Sequence, residues 1–150
     1  MAGLKDLYQE AILDHYRKPR NFREPDCSNR RAEGFNPLCG DKLTVFLLVE
    51  NGIIRDIGFA GTGCAISIAS ASMMTESLKG KTEAEAKTAF DRFHQIVAKS
   101  AGAEQDLGGM GDMAVFSTLR EYPVRVKCAT LAWHAMRAAL DGLREPASTE

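Results

Sequence analysis

Thiols and one carboxylate are the groups through which this sequence can do chemistry. Cys39-Gly40-Asp41 sets a thiol and a carboxylate two residues apart. Along an extended chain such side chains point the same way, so both could bind one cation. Gly-Asp is also common turn chemistry, and Cys39 fits a core position as well. Cys64 follows Gly61-Thr62-Gly63 and opens a run of small residues with helical character. A helix N-terminus carries partial positive charge and lowers a thiol pKa, which favours a thiolate there. A buried cysteine capping a tight strand–helix turn explains Cys64 equally well. Gly58, Gly61 and Gly63 match no phosphate-loop or dinucleotide pattern. Cys128 follows Lys127, with Arg125 just before, at what reads as another helix start. Those cations favour a thiolate. The periodicity of Cys128 with Leu131, Ala132 and Ala135 favours the core.

Taken together, the three cysteines lie at junctions where a β-hairpin and two helix starts could converge. Cys39, Asp41, Cys64 and Cys128 supply four donors, enough for tetrahedral Zn2+. Their spacing matches no short zinc signature such as paired C-x-x-C. A shared metal and ordinary packing therefore both remain open on spacing alone. Cys27, in an irregular stretch, reads as incidental. His15, His94 and His134 fall mid-helix and read as solvated or core-edge histidines. Met73, Met74, Met110, Met113 and Met136 read as packing or surface residues, and no Ser/His/Asp arrangement emerges.

The elements that must position these groups follow from periodicity. Residues 3–17 predict an amphipathic helix with Leu4, Tyr8, Ala11, Ile12 and His15 on one face, ended by Pro19. Residues 19–38 are irregular, with a short strand around Arg31–Phe35. Asp41–Glu50 and Ile53–Ala60 alternate at period two around Asn51-Gly52, the pair preferred in two-residue hairpins. A helix over Ala65–Leu78 follows, stopped by Gly80. Thr82 and Glu85 form a capping-box pattern before a helix over 83–98. Residues 101–112 predict a flexible Gly-rich segment, and Met113–Glu121 a short helix. Tyr122-Pro123-Val124 is expected to be extended, before a last helix over Lys127–Leu143. The tail from residue 144 is expected to fray. The pattern predicts an α+β fold, with helices packed on one face of a small antiparallel sheet.

Composition bounds the function. The chain has 150 residues, 45% hydrophobic and 26% charged, which predicts one globular domain over 1–150. It excludes disordered, collagen-like and coiled-coil chains. No apolar run approaches the ~20 residues of a membrane span. The first residues carry acids and no apolar stretch, unlike a signal peptide. A net charge of −1 disfavours a general nucleic-acid binder. Four cysteines without a secretion signal point to a reducing, cytoplasmic setting rather than to disulfides.

Longer motifs add a resemblance. Cys39-Gly40-Asp41, Gly61-Thr62-Gly63-Cys64-Ala65-Ile66-Ser67, Ala69-Ser70-Ala71-Ser72-Met73-Met74 and Val126-Lys127-Cys128-Ala129-Thr130-Leu131-Ala132-Trp133 resemble the IscU/NifU-N iron–sulfur assembly proteins. So does the opening, Leu7 to Arg17 and Pro19-Arg20-Asn21-Phe22. The SufU branch is the most similar. The resemblance implies a small α+β fold with one exposed metal site on Cys39, Asp41, Cys64 and Cys128. General scaffold members carry His where this chain has Lys127. They also carry a Leu-Pro-Pro-Val-Lys chaperone-docking motif where Tyr122-Pro123-Val124-Arg125-Val126-Lys127 stands. The segment Ala101–Glu121 resembles the insertion of the SufU branch. The resemblance thus implies a zinc-dependent sulfur acceptor for a SufS-type cysteine desulfurase. Cys39 would be the acceptor, freed when a partner histidine takes its place on the metal. Downstream iron–sulfur scaffold proteins are the implied recipients. The alternatives are a scaffold that assembles a [2Fe–2S] cluster on the same residues, and a structural zinc protein with inert cysteines.

Overall fold

A computed structural model describes residues 4–98, 116–117, 119, 122–142 and 147–148. Helix α1 (Leu4–Arg17) precedes strands β1 (Arg30–Asn36), β2 (Asp41–Glu50) and β3 (Ile53–Thr62). Helices α2 (Ala65–Leu78), α3 (Glu83–Ala98) and α4 (Pro123–Leu140) follow, with a two-residue strand β4 (Ala147–Ser148). The sheet order is β3-β2-β1-β4. The first three strands are antiparallel and β4 runs parallel to β1. The α+β architecture matches the expectation. Ala147–Ser148 lie within the segment expected to fray, yet they pair with Gly34 and Phe35.

Alternation along β2 explains the sheet. Leu43, Val45, Leu47 and Val49 are buried on the helix side. Asn51 and Gly52 adopt φ of 52° and 74°, as the tight hairpin requires. The β3 edge is also occupied. The Phe59 N–H donates to the Asn21 carbonyl at 3.0 Å, and the Ile54 N–H to that of Lys81 at 2.8 Å.

Helix α4 packs on β1 and β2, α2 on β3 and α4, and α1 covers α2. Gly34 permits the α4 approach, because a Cβ there would sit 3.0 Å from Leu131 Cδ1. Helix α2 has no solvent face between Ser67 and Thr75, all of which are buried. Its small side chains let neighbours close in on every side, and its hydroxyls find partners. Ser70 Oγ donates to the Ala129 carbonyl at 2.6 Å, and Thr75 Oγ1 to that of Ser72 at 2.7 Å. Ser72 Oγ pairs with His15 Nδ1 at 2.7 Å. His15 is therefore a buried, hydrogen-bonded histidine rather than a solvated one. The expected capping box forms at the start of α3, with Thr82 and Glu85 exchanging bonds of 3.0 and 3.1 Å. Trp133 stacks on Phe93 with ring centroids 4.6 Å apart in the core between α3 and α4. Among the described residues no helix is long and apolar enough to cross a membrane.

One boundary corrects the sequence reading. Helix α4 begins at Pro123, not Lys127, and ends at Leu140. Tyr122-Pro123-Val124 fits extended chain by sequence, but at the first helical position the proline's missing N–H costs nothing and its fixed φ suits the helix. The Val126 N–H already donates to the Tyr122 carbonyl at 3.0 Å. Cys128 thus sits in the second turn, beyond the reach of the helix N-terminus. The expected segment 101–112 lies outside the described residues, as does most of the expected helix Met113–Glu121.

Candidate metal centre

The β1–β2 turn delivers the first thiol. β1 ends at Asn36, residues 37–40 turn, and the Gly40 N–H donates back to the Asn36 carbonyl at 2.8 Å. Gly40 takes φ of +73°, a conformation that glycine adopts without penalty. Cys39 is left exposed at the tip. Asp41, the first residue of β2, is 1% exposed and points under the helices.

That carboxylate caps α2 from another element. Cys64 is the N-cap residue of α2, and its side chain makes no capping bond. Instead Asp41 Oδ1 accepts the Cys64 N–H at 2.9 Å, and Oδ2 accepts the Ser67 hydroxyl at 2.7 Å. A carboxylate at a helix N-terminus is favoured by the dipole. Gly61 makes the approach possible. Its φ is +132°, and an added Cβ would run into the Lys42 carbonyl oxygen. Gly61→Ala is expected to cost ~2 kcal/mol of stability, the scale of an enforced strained φ. A urea melt within experimental error of wild type would show that β3 can slide instead.

Cys128 enters from α4. It is fully buried, and its thiol donates to Cys39 Sγ at 3.2 Å. Ligand atoms of Cys39, Asp41 and Cys128 all lie within 4.8 Å of one another. Cys64 stands just outside this trio. Its sulfur is 4.0 Å from Asp41 Oδ2 and 3.7 Å from Ser67 Oγ. It also shares a hydrogen bond with Cys128. Cys27 is exposed, has φ of 63°, and does not join the group.

The thiols titrate as a set. The hydrogen bond from Cys128, then the backbone and hydroxyl of Ser67, lower the Cys64 thiol to about 5, against burial and the Asp41 charge. The same shared bond with Cys64, burial, and the bond to Cys39 push Cys128 far up. The bond between them favours the anion on Cys64 and the proton on Cys128. Cys128 thereby meets both readings left open by its spacing: it is fully buried, and it stands with Cys39 and Asp41 in a group that could hold a metal. Its neighbours at the site are the Cys39 and Cys64 thiols, the Asp41 carboxylate and the Asn36 amide.

The donor set fits zinc. Tetrahedral Zn2+ with Zn–S bonds of about 2.3 Å needs sulfurs roughly 3.8 Å apart. The Cys39–Cys128 separation of 3.2 Å brackets that value from below and the 4.8 Å limit of the trio from above. Small side-chain rotations would suffice.

The model of the NifU-like N terminal domain matches residues 7–145. The chain belongs to this family. Within it, the chain is 38% identical over 143 residues to the iron–sulfur cluster assembly scaffold protein IscU of Thermotoga maritima. That match covers 95% of this chain and 98% of the relative. It is also 38% identical over 136 residues to the zinc-dependent sulfurtransferase SufU of Bacillus subtilis, covering 90% of each. Among solved structures, a protein described as an iron–sulfur cluster assembly scaffold for the SUF system of Fervidobacterium islandicum superimposes with a TM-score of 0.77. It is 30% identical, over 92% of this chain and 99% of that one.

Two polar residues of this NifU-N-type site escaped the sequence reading. Ser67 holds Asp41 and approaches Cys64, and Asn36 reaches both Asp41 and Cys128. Ser67 lies three residues past Cys64, where a helix-capping partner belongs, which was a usable signal. Asn36 precedes Pro37 and reads as ordinary turn chemistry.

Proposed function

We propose that this chain serves iron–sulfur cluster assembly as a zinc-dependent sulfur acceptor, taking persulfide sulfur from a SufS-type cysteine desulfurase. The observation that carries this reading is the asymmetry among clustered thiols. Cys39 is exposed at a turn tip, while Cys128 beside it is buried, at a sulfur separation of 3.2 Å. A persulfide on another protein can reach only a thiol presented in this way. Cys39, Asp41, Cys64 and Cys128 would hold the metal, which keeps thiols deprotonated near neutral pH when bound. The Cys39 thiolate attacks the outer sulfur of the donor persulfide. A new S–S bond forms at Cys39, the donor's S–S bond breaks, and the donor cysteine leaves as a thiolate. The proton on the transferred sulfur stays with it. Asp41 and Cys128, both buried, hold the site in shape. A thiol that must stay free for transfer needs a reducing compartment, and the cytoplasm is the setting this reading proposes.

Lys127 is half-buried one residue before Cys128 and stands to offset the negative charge of the site. Lys127→Ala is expected to slow sulfur transfer several-fold with zinc retained, read by a transfer assay beside a chelator competition. Equal rates would make Lys127 a solvated charge only.

A second reading rests on the equal identity to the Thermotoga maritima scaffold protein. In it the same four residues receive iron and sulfide and build a [2Fe–2S] cluster as cargo. Metal and acid-labile sulfide content of protein purified without oxygen separates the two. Stoichiometric zinc without iron, together with sulfur uptake from a desulfurase, supports the acceptor. Iron with matching sulfide selects the scaffold. Zinc with no sulfur uptake makes the site structural.

A further inference from the structure

Asn36 ends β1 with no exposed surface, and its amide faces two ways. Its carbonyl oxygen accepts the Leu38 N–H at 3.3 Å. The NH2 is thereby turned into the thiol cluster, where it donates to Cys128 Sγ at 3.4 Å. It lies at the same 3.4 Å from Asp41 Oδ2. These are not equal bonds. Sulfur is large, and 3.4 Å is a normal N–H···S separation, whereas N–H···O bonds centre near ~2.9–3.0 Å. Asp41 Oδ2 is also already served by Ser67 at 2.7 Å. The amide is chiefly a donor to Cys128. Cys39 has no such donor: among the described residues its sulfur takes only the Cys128 thiol.

We propose that Asn36 is the positioning residue that divides the roles of the thiols, its NH2 reserving Cys128 as a retained metal ligand and leaving Cys39 as the nucleophile. This rests on the metal-binding acceptor reading above. A thiolate that accepts an N–H bond has less electron density to offer an electrophile. Its orientation toward a metal is also fixed, as outer partners fix ligands generally. Burial alone would protect Cys128 but would not tune it, so the two explanations differ when the amide is replaced.

Asn36→Ser keeps an oxygen that can accept the Leu38 N–H and loses the NH2. Asn36→Leu loses both. Each protein is loaded with cobalt(II) for its thiolate charge-transfer band, and separately with zinc for iodoacetamide labelling mapped by mass spectrometry. In both variants the band is expected to move to longer wavelength, and metal affinity to fall ~10–100-fold. The ratio of label on Cys128 to label on Cys39 is expected to rise several-fold. If serine leaves too open a pocket to fold, Asn36→Asp, isosteric and still an acceptor for Leu38, is read in the same three ways. A serine or aspartate variant matching wild type in band, affinity and labelling overturns the proposal and leaves Asn36 a turn residue. A wild-type chain that takes up neither metal overturns the acceptor reading itself and this proposal with it.

Discussion

Cys39→Ala is expected to abolish persulfide capture while the fold survives almost untouched. The side chain is exposed at a turn tip, and among the described residues its only hydrogen bond is the one it accepts from Cys128. Surface changes of this kind usually move stability by less than about 0.5 kcal/mol. Capture, in contrast, has no equally exposed substitute within the cluster: Cys128 is buried and Cys64 half-buried. The check is the mass gain of one sulfur on the chain after incubation with a desulfurase and cysteine. Cys27→Ala serves as the control and should capture normally. Undiminished sulfur uptake by the Cys39 variant would sink the assignment. A large loss of thermal stability in it would show that the turn depends on the thiol.

Asp41→Ala should act on two properties at once. As a candidate metal ligand its loss is expected to weaken zinc by ~100-fold or more, above the ~10–100-fold typical of outer partners. As the carboxylate that caps α2 it leaves the Cys64 N–H and the Ser67 hydroxyl without their acceptor. Unpaired buried donors cost ~1–3 kcal/mol each, so the metal-free protein should also lose stability. Chelator competition reads the first effect and urea unfolding after chelation reads the second. Unchanged zinc affinity with lowered stability would make Asp41 a structural clamp alone. The opposite pattern would show that the cap is dispensable.

The hairpin was legible in the sequence because period-two alternation and Asn51-Gly52 specify it locally. The helices over 65–78 and 83–98 were legible from their stops and caps. Convergence of Cys39, Asp41 and Cys128 was legible only as a guess that three junctions meet. Nothing local encodes it, since residues 39 and 128 are joined by packing of α4 on β1 and β2. The start of α4 was missed because Tyr-Pro-Val fits both an extended segment and a first helical turn. Burial of α2 on all sides was missed because serine and alanine give no periodic signal. Asn36 and Ser67 look like turn and helix residues until the partners of their polar atoms are known. Such partners come from elements far away in the chain.

The occupied edges of the sheet have a consequence for encounters between molecules. Residues 21 and 81 bond to β3 on one flank, and β4 lies against β1 on the other. Open strand edges are templates for another chain to pair with, and folded proteins commonly blunt them. Among the described residues these bonds take up part of each flank. A protein partner is therefore directed away from strand addition and toward the end of the fold where the turn tip, the α2 cap and α4 meet. The same coverage should also work against edge-to-edge association between copies of the chain.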